Sequence, residues 1–397
     1  MSEYSLYLHI PFCQHRCAYC DFNTYAGLEE LIPAYIQALS NEIEILSSNL
    51  GFRLDVHTIF FGGGTPSLLP CSDVERLLST LDRCFSLSSN IEISLEMNPG
   101  TVSLDYLRDL YALGINRLSL GMQSSDTWEL RLLERQHDFG DVIRAVYWAR
   151  QAGFNNLNLD LIFGLPGQLL DSWRQNLSRA VDLHPDHVSL YSLTLEHGTP
   201  MQHWVSRGLL LGPDSDLAAD MYEWSSEFLD KLGYYQYEIS NWARIGQKGM
   251  LLECRHNLQY WRNQPYLGFG AGAHGYAGGL RIADVLAPAV YIQRCLETPP
   301  GSQYAFPYTP ATSTVQKIEQ QEEMGETMMV GLRLTQEGVS RHAFQHRFGV
   351  EMEKVYSNEI QDLRVLGLLE WAGEENDILR LTPRGRLLGN QVFMRFI

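Results

Sequence analysis

Positive charge is scarce in this sequence: 47 Asp and Glu residues face 30 Lys and Arg, leaving a net charge of −17. That balance repels phosphate backbones and anionic lipid at long range, so nucleic acid is excluded as a general partner. Also missing is any run of about 18 consecutive apolar residues able to span a bilayer. The N-terminal MSEYSLYLHIPFC lacks the basic segment and apolar run of a secretion signal. The expectation is a soluble, non-secreted, cytoplasmic protein without a transmembrane segment. Cysteine is not abundant either. Seven in 397 residues is an ordinary density and an odd number, which argues against a closed disulfide framework and fits a reducing compartment. Charged residues, at 19%, are too few for a disordered chain, and 45% hydrophobic content is enough to bury a core. The length exceeds what one core usually supports, so a large domain with a smaller one is expected.

What is present is a regular alternation of short Val, Ile, Leu and Phe-rich runs with helix-period stretches. Six strands are expected: Ser5–Ile10, Val56–Phe61, Ile91–Glu96, Arg117–Leu120, Leu157–Phe163 and His187–Tyr191. Between the first two, Ile32, Tyr35, Ile36, Leu39, Ile43 and Leu46 line one face of a helix beginning near Pro33. Leu113-Gly114, Ala152-Gly153 and Leu232-Gly233 each put a glycine where a helix C-cap needs a left-handed backbone. Along Ile91–Glu96, Ile91, Ile93 and Leu95 share one face while Glu92, Ser94 and Glu96 share the other. The apolar face suits covering helices and the polar face a barrel interior.

Repeated βα units make a parallel sheet, and six are too few for a closed eight-stranded barrel. The expected fold is therefore α/β, a partial (β/α)6 barrel whose open side later chain, from about Tyr234 to Ala277, would cover. Residues 1–300 form this core. Pro299, Pro300, Pro307 and Pro310 mark a linker over 301–311. A smaller, mainly helical domain over 312–397 follows, with strands at Leu368–Trp371 and Ile378–Leu381 and a last helix after Thr382-Pro383, an order that resembles a winged helix. Residues 320–397 carry 9 Lys and Arg against 12 Asp and Glu, the wrong sign for a phosphate footprint, so it reads as a packing or partner-binding domain.

The chemistry concentrates in Cys13-x-x-x-Cys17-x-x-Cys20. Three thiols on one short loop can wrap a single inorganic cluster. A structural zinc site normally wants four closed ligands, whereas a three-cysteine cluster leaves one iron open. His9 or His15 completing a zinc site remains the alternative. With Tyr19 just before the last cysteine, the motif resembles that of the radical-SAM superfamily, which implies a [4Fe-4S] cluster whose open iron binds S-adenosylmethionine. The reduced cluster would then cleave the sulfonium and generate a deoxyadenosyl radical. Gly62-Gly63-Gly64-Thr65-Pro66 follows the second strand, Glu96 ends the third, Gln123 follows the fourth, Asp160 sits late in the fifth and Thr194 follows the sixth. All lie at the strands' C-terminal ends, where barrel enzymes keep their ligand sites. Taken singly, Glu96 or Asp160 also reads as a salt-bridged carboxylate and Gln123 as a helix cap.

The stretches YLHIPFCQHRCAYCDF, FFGGGTPS, SLEMNP, RLSLGMQS, LLERQH and NLDLIFGLPGQ resemble the oxygen-independent coproporphyrinogen oxidase family over nearly the whole chain. That family contains both an oxidase branch and HemW-type heme chaperones. The resemblance implies that Tyr7, Tyr19, Gly63, Gly64, Thr65, Glu96, Gln123, Arg135, Asp160 and Thr194 form the S-adenosylmethionine site. Oxidases of the family carry a further cysteine two residues after the motif and a long N-terminal extension. Here Phe22 occupies that position and six residues precede Tyr7.

His256-Asn257-Leu258-Gln259-Tyr260-Trp261 also matches the HNxxYW motif of HemW-type proteins. An imidazole beside large aromatic rings suits heme ligation, with Cys254 and His274 as rivals to His256, although a structural histidine and core aromatics are the plainer reading. Gly268, Gly270 and Gly272, ahead of His274, indicate close backbone packing against a ligand or strand and fit no phosphate-loop pattern. The resemblance thus implies a protein that binds heme and delivers it to apo-hemoproteins such as respiratory enzymes, and it allows a homodimer. A coproporphyrinogen oxidase is the enzyme alternative.

Overall fold

The computed structural model describes residues 3–299 and 301–397; Pro300, one of the linker prolines, lies outside the described residues. The chain divides into two compact units. The first comprises residues up to 227 together with 265–316, and the second 228–264 together with 317–397.

In the first unit six parallel strands lie side by side in sequence order: β1 (Tyr4–Ile10), β2 (Asp55–Gly63), β3 (Ser86–Met97), β4 (Arg117–Gln123), β5 (Leu157–Phe163) and β6 (His187–Ser192). Each expected strand is there, one with the expected bounds and the others longer by one to six residues. The helix Ile32–Ser48 buries Tyr35, Ile36, Leu39, Ile43 and Leu46, and Pro33 stands in its first turn. Gly114, Gly153 and Gly233 adopt φ of 99°, 109° and 79°, the left-handed backbone their positions require. On β1, Leu6, Leu8 and Ile10 are fully buried. The opposite face is enclosed as well: Ser5, Thr58, Glu92, Ser94, Ser119, Asn158 and His187 are all buried polar residues. Several of them bond to one another, although the Ser94 hydroxyl has no hydrogen-bond partner among the described residues. Asn158 Nδ2 donates to Ser119 Oγ and to Asp160 Oδ1, both at 2.8 Å, and Asn158 Oδ1 lies 2.7 Å from His187 Nδ1.

The open edge of β1 is covered by four further strands, β7 (Tyr266–Phe269), β8 (His274–Ala277), β9 (Leu280–Asp284) and β10 (Thr312–Lys317). β7 pairs parallel with β1, and β8 and β9 continue antiparallel. The close approach explains the glycine run. A Cβ on Gly270 would come within 2.6 Å of Tyr35 Oη and 2.7 Å of His9 O, and one on Gly272 would overlap the Asn23 side chain. Asn23 uses that space to donate to Ala271 O and Leu286 O, each at 2.9 Å.

Two expectations about organisation change. Residues 301–311 are not a free linker: Thr309 Oγ1 donates to Glu42 Oε1 at 2.7 Å, Val285 N donates to Ala311 O at 3.0 Å, and Ala311 is fully buried. Only the later part of Tyr234–Ala277 covers the barrel edge. Its earlier part joins the second unit, because the backbone of 237–239 bonds to 333–335 (Ile239 N to Arg333 O, 3.2 Å; Thr335 N to Tyr237 O, 3.1 Å) and Tyr237, Ala243, Leu258 and Leu334 share one apolar cluster. The rest of that unit follows the winged-helix order. Helices Gln320–Gly331, Arg341–Phe348 and Met352–Val365 precede strands Leu369–Ala372 and Ile378–Leu381, and Thr382 caps the helix Pro383–Leu387. A short strand, Val339–Ser340, pairs with Ile378–Leu381 and had no sequence signal. No helix among the described residues is long and apolar enough to cross a membrane.

Candidate cofactor site

The loop carrying the three cysteines leaves β1 and returns on itself. Phe12–Cys13 pairs with Tyr25–Ala26, and Tyr25 N donates to Pro11 O at 2.7 Å. The glycine loop after β2 closes against it through Gly64 N to Ile10 O and Thr65 N to Phe12 O, both 2.8 Å. Only glycine fits there. A Cβ on Gly64 would stand 2.6 Å from Phe12 O and 3.0 Å from Cys13 Sγ, and Gly63, at φ 112°, would put one 2.6 Å from the His9 ring.

Each thiol has a polar neighbour of its own. Thr65 Oγ1 donates to Cys13 Sγ at 3.6 Å, Arg135 Nη1 to Cys17 Sγ at 3.6 Å, and Thr24 Oγ1 lies 3.8 Å from Cys20 Sγ. Burial pushes the Cys13 and Cys20 thiols up, and these hydroxyls work against it. The donor set is three soft thiols with oriented donors behind them, and the Gly64 cradle leaves room beside Cys13; both suit a thiolate-held iron–sulfur cluster. Among the described residues no group of three His, Cys, Asp or Glu side chains is set to hold a single metal ion.

Beside the thiols is a cavity of about 360 Å³, walled by residues from the C-terminal ends of β2 to β6. Cys13, Cys17, Cys20, Tyr19, Gly63, Gly64, Thr65, Glu96, Gln123, Arg135, Asp160 and Thr194 all face it. Gln123 sits at φ 62°, where the pairing of β4 with β5 slips register. Glu96 receives a 3.2 Å bond from Gly63 N–H, yet its pKa is pushed up to about 8, first by its depth in the barrel and then by Asp160. Desolvation raises Asp160 too, against hydrogen bonds from Ser119 and Asn158. The cavity thus holds two carboxyl groups ready for a cationic ligand and one guanidinium for an anionic one.

Tyr7 does not reach this wall. Its hydroxyl bonds His9 Nδ1 at 3.0 Å, and His9 Nε2 lies 2.9 Å from Asn23 O, which ties Tyr7 through His9 to the end of the cysteine loop. Asn98 was missed from sequence. It faces the cavity, donates to Thr65 Oγ1 at 3.0 Å and accepts from Arg135 Nη2 at 2.5 Å. Its position directly after β3 was the available signal.

His256 lies in the second unit, in the helix Arg255–Trp261, and is buried with Nε2 2.8 Å from Tyr260 Oη. The Arg333 guanidinium covers the Trp261 ring at 4.4 Å. Cys254, the N-cap residue of that helix, is fully buried, whereas His274 begins β8 and is exposed.

Comparison with known proteins agrees with this architecture. The radical SAM superfamily matches residues 7–180 and the HemN C-terminal domain residues 318–388. Coproporphyrinogen III oxidase (HemN) from Escherichia coli shares the fold, with a TM-score of 0.82 and 24% identity, covering 100% of this chain and 90% of that one. The heme chaperone HemW of Bacillus subtilis is 37% identical over 394 residues, 99% of both chains. That of Lactococcus lactis is 35% identical over 99% of this chain and 97% of its own. With the thiol loop, the glycine cradle and full-length likeness in agreement, this chain belongs to the HemW family of the radical-SAM superfamily.

Proposed function

We propose that this protein carries heme for transfer to apo-hemoproteins such as respiratory enzymes, and holds a [4Fe-4S] cluster with S-adenosylmethionine beside it. The observation that carries the cofactor reading is the convergence of three thiols, each with a polar donor beside it, on one polar cavity. Cys13, Cys17 and Cys20 would ligate the cluster. Gly63, Gly64 and Thr65 offer backbone close to the open coordination position, Arg135 suits the methionyl carboxylate, and Glu96 and Asp160 suit the cationic end of the ligand. Tyr19, Gln123 and Thr194 complete the wall, and Tyr7 acts through His9. When bound, the cofactor pair supplies one-electron cleavage of a sulfonium.

The heme reading rests on relatives named heme chaperones along the full chain and on the HNxxYW segment. Phe22, 64% exposed at the cavity rim, stands where the oxidase branch has its further cysteine. His256 is the proposed axial ligand, and ligation requires Tyr260 to release Nε2.

Anaerobic reconstitution followed by iron and sulfide analysis, a heme titration and a coproporphyrinogen assay tests the whole reading. About four irons and four sulfides per chain, heme binding and no decarboxylation are expected. Zinc without sulfide would exclude the cluster, and loss of carboxyl groups from coproporphyrinogen would transfer the protein to the oxidase branch.

A further inference from the structure

Two of the three thiols are joined by one continuous chain of hydrogen bonds. Arg135 donates from Nη1 to Cys17 Sγ and from Nη2 to Asn98 Oδ1, and its Nη2 also reaches Gly121 O at 2.9 Å. Asn98 Nδ2 in turn donates to Thr65 Oγ1, and Thr65 Oγ1 donates to Cys13 Sγ. The direction of every bond is fixed by chemistry. A guanidinium only donates, so Asn98 must present its carbonyl oxygen to Arg135 and its amide to Thr65. A cysteine that ligates a cluster is a thiolate with no proton to give, so Thr65 must donate its O–H to the sulfur. The third thiol, Cys20, has the Thr24 hydroxyl, which also acts on Cys13. Thr24, 5% exposed, has its hydroxyl beside Cys20 and is held between Asn23, clamped to Ala271 and Leu286, and Tyr25, bonded to Pro11.

Hydrogen bonds to the sulfurs of an iron–sulfur cluster disperse the extra negative charge that reduction brings, and so raise its reduction potential. We propose that the Arg135–Asn98–Thr65 chain and the Thr24 hydroxyl set the reduction potential of a cluster on Cys13, Cys17 and Cys20, with Asn98 as the positioning residue that orients both donors of the chain. The inference rests on the cluster reading above and assigns roles to Asn98 and Thr24 that the S-adenosylmethionine site does not require of them.

The test is an EPR-monitored redox titration of reconstituted protein without S-adenosylmethionine. Thr65→Val, Asn98→Ala and Thr24→Val should each lower the midpoint potential, by up to about tenfold in the reduction equilibrium, or about 59 mV for one electron. Thr65→Ser should restore it. Because Thr65 and Asn98 belong to one chain, and because Thr24 shares Cys13 with Thr65, the Thr65–Asn98 and Thr65–Thr24 double variants should both fall short of additivity. Thr24→Val and Thr65→Val conserve shape and carry the test even where Asn98→Ala loses cluster. A full complement of iron and sulfide with unchanged potentials in these variants overturns this inference alone. Failure of the wild-type chain to take up iron and sulfide overturns the cluster reading and the inference with it.

Discussion

The mouth of the barrel and the His256–Trp261 helix were both marked by motifs, and the structure treats them differently. At the mouth, side chains from the cysteine loop and from the ends of five strands meet around one cavity, and Glu96 and Asp160 face it with their pKa values raised. On the helix, His256 meets Tyr260, four residues away and one turn along, and Arg333 covers Trp261. Convergence of residues distant in sequence on open space is what a ligand site requires. Local pairing of neighbours on one helix is what a stable apolar core requires, and a ligand there must first displace a partner.

The largest expected effect would break this contrast at the mouth. In Gly64→Ala the new methyl must displace Phe12 O or Cys13 Sγ, both within 3.0 Å, and a close backbone approach cannot be relieved by a rotamer change. Cluster loading, read as iron and sulfide per chain after anaerobic reconstitution, should be lost, with a stability cost of about 1–3 kcal/mol. Full loading in this variant would mean that the thiols are not held by the glycine cradle.

How much of this was readable in advance divides along the same line. The six strands, the glycine C-caps and the order of the last helices and strands follow from periodicity and local backbone demands, which neighbours in sequence determine. So does the cavity wall, since the ends of successive parallel strands must lie together. Asn98 escaped because its role is a relay between Thr65 and Arg135, which are 33 and 37 residues away. The grouping of 228–264 with 317–397 escaped for a similar reason: it depends on backbone bonds between residues about a hundred positions apart, which no local pattern encodes.

The second effect, of middle size, sharpens the other side of the comparison. His256→Ala takes from the Tyr260 hydroxyl a buried partner and should cost about 1–3 kcal/mol in denaturant unfolding. Tyr260→Phe keeps the ring and frees Nε2 from the 2.8 Å contact. With His256 as axial ligand, heme should bind more tightly to Tyr260→Phe and be retained poorly by His256→Ala, with a changed Soret band. Equal affinity and unchanged spectra in both variants would leave His256 as a structural residue and direct attention to exposed His274.

The smallest expected effect lies in Glu96, because a single proton is involved. Its pKa in the folded chain is raised from an ordinary value of 4.5 to about 8, so the folded state holds the proton more tightly than the unfolded one. The stabilising contribution is therefore complete below the ordinary carboxylate range. It declines as pH rises through that range and is gone once Glu96 ionises near 8, after which the curve levels. Glu96→Gln removes this proton and should flatten the thermal unfolding midpoint of cluster-free protein between about pH 5 and about pH 8, relative to wild type. Asp160, also raised by burial, should leave a residual slope in that variant. Parallel curves for the two proteins would show that the carboxyl is already ionised in the folded state, stabilised by cavity water, and that the mouth is prepared for a cation without having to release a proton.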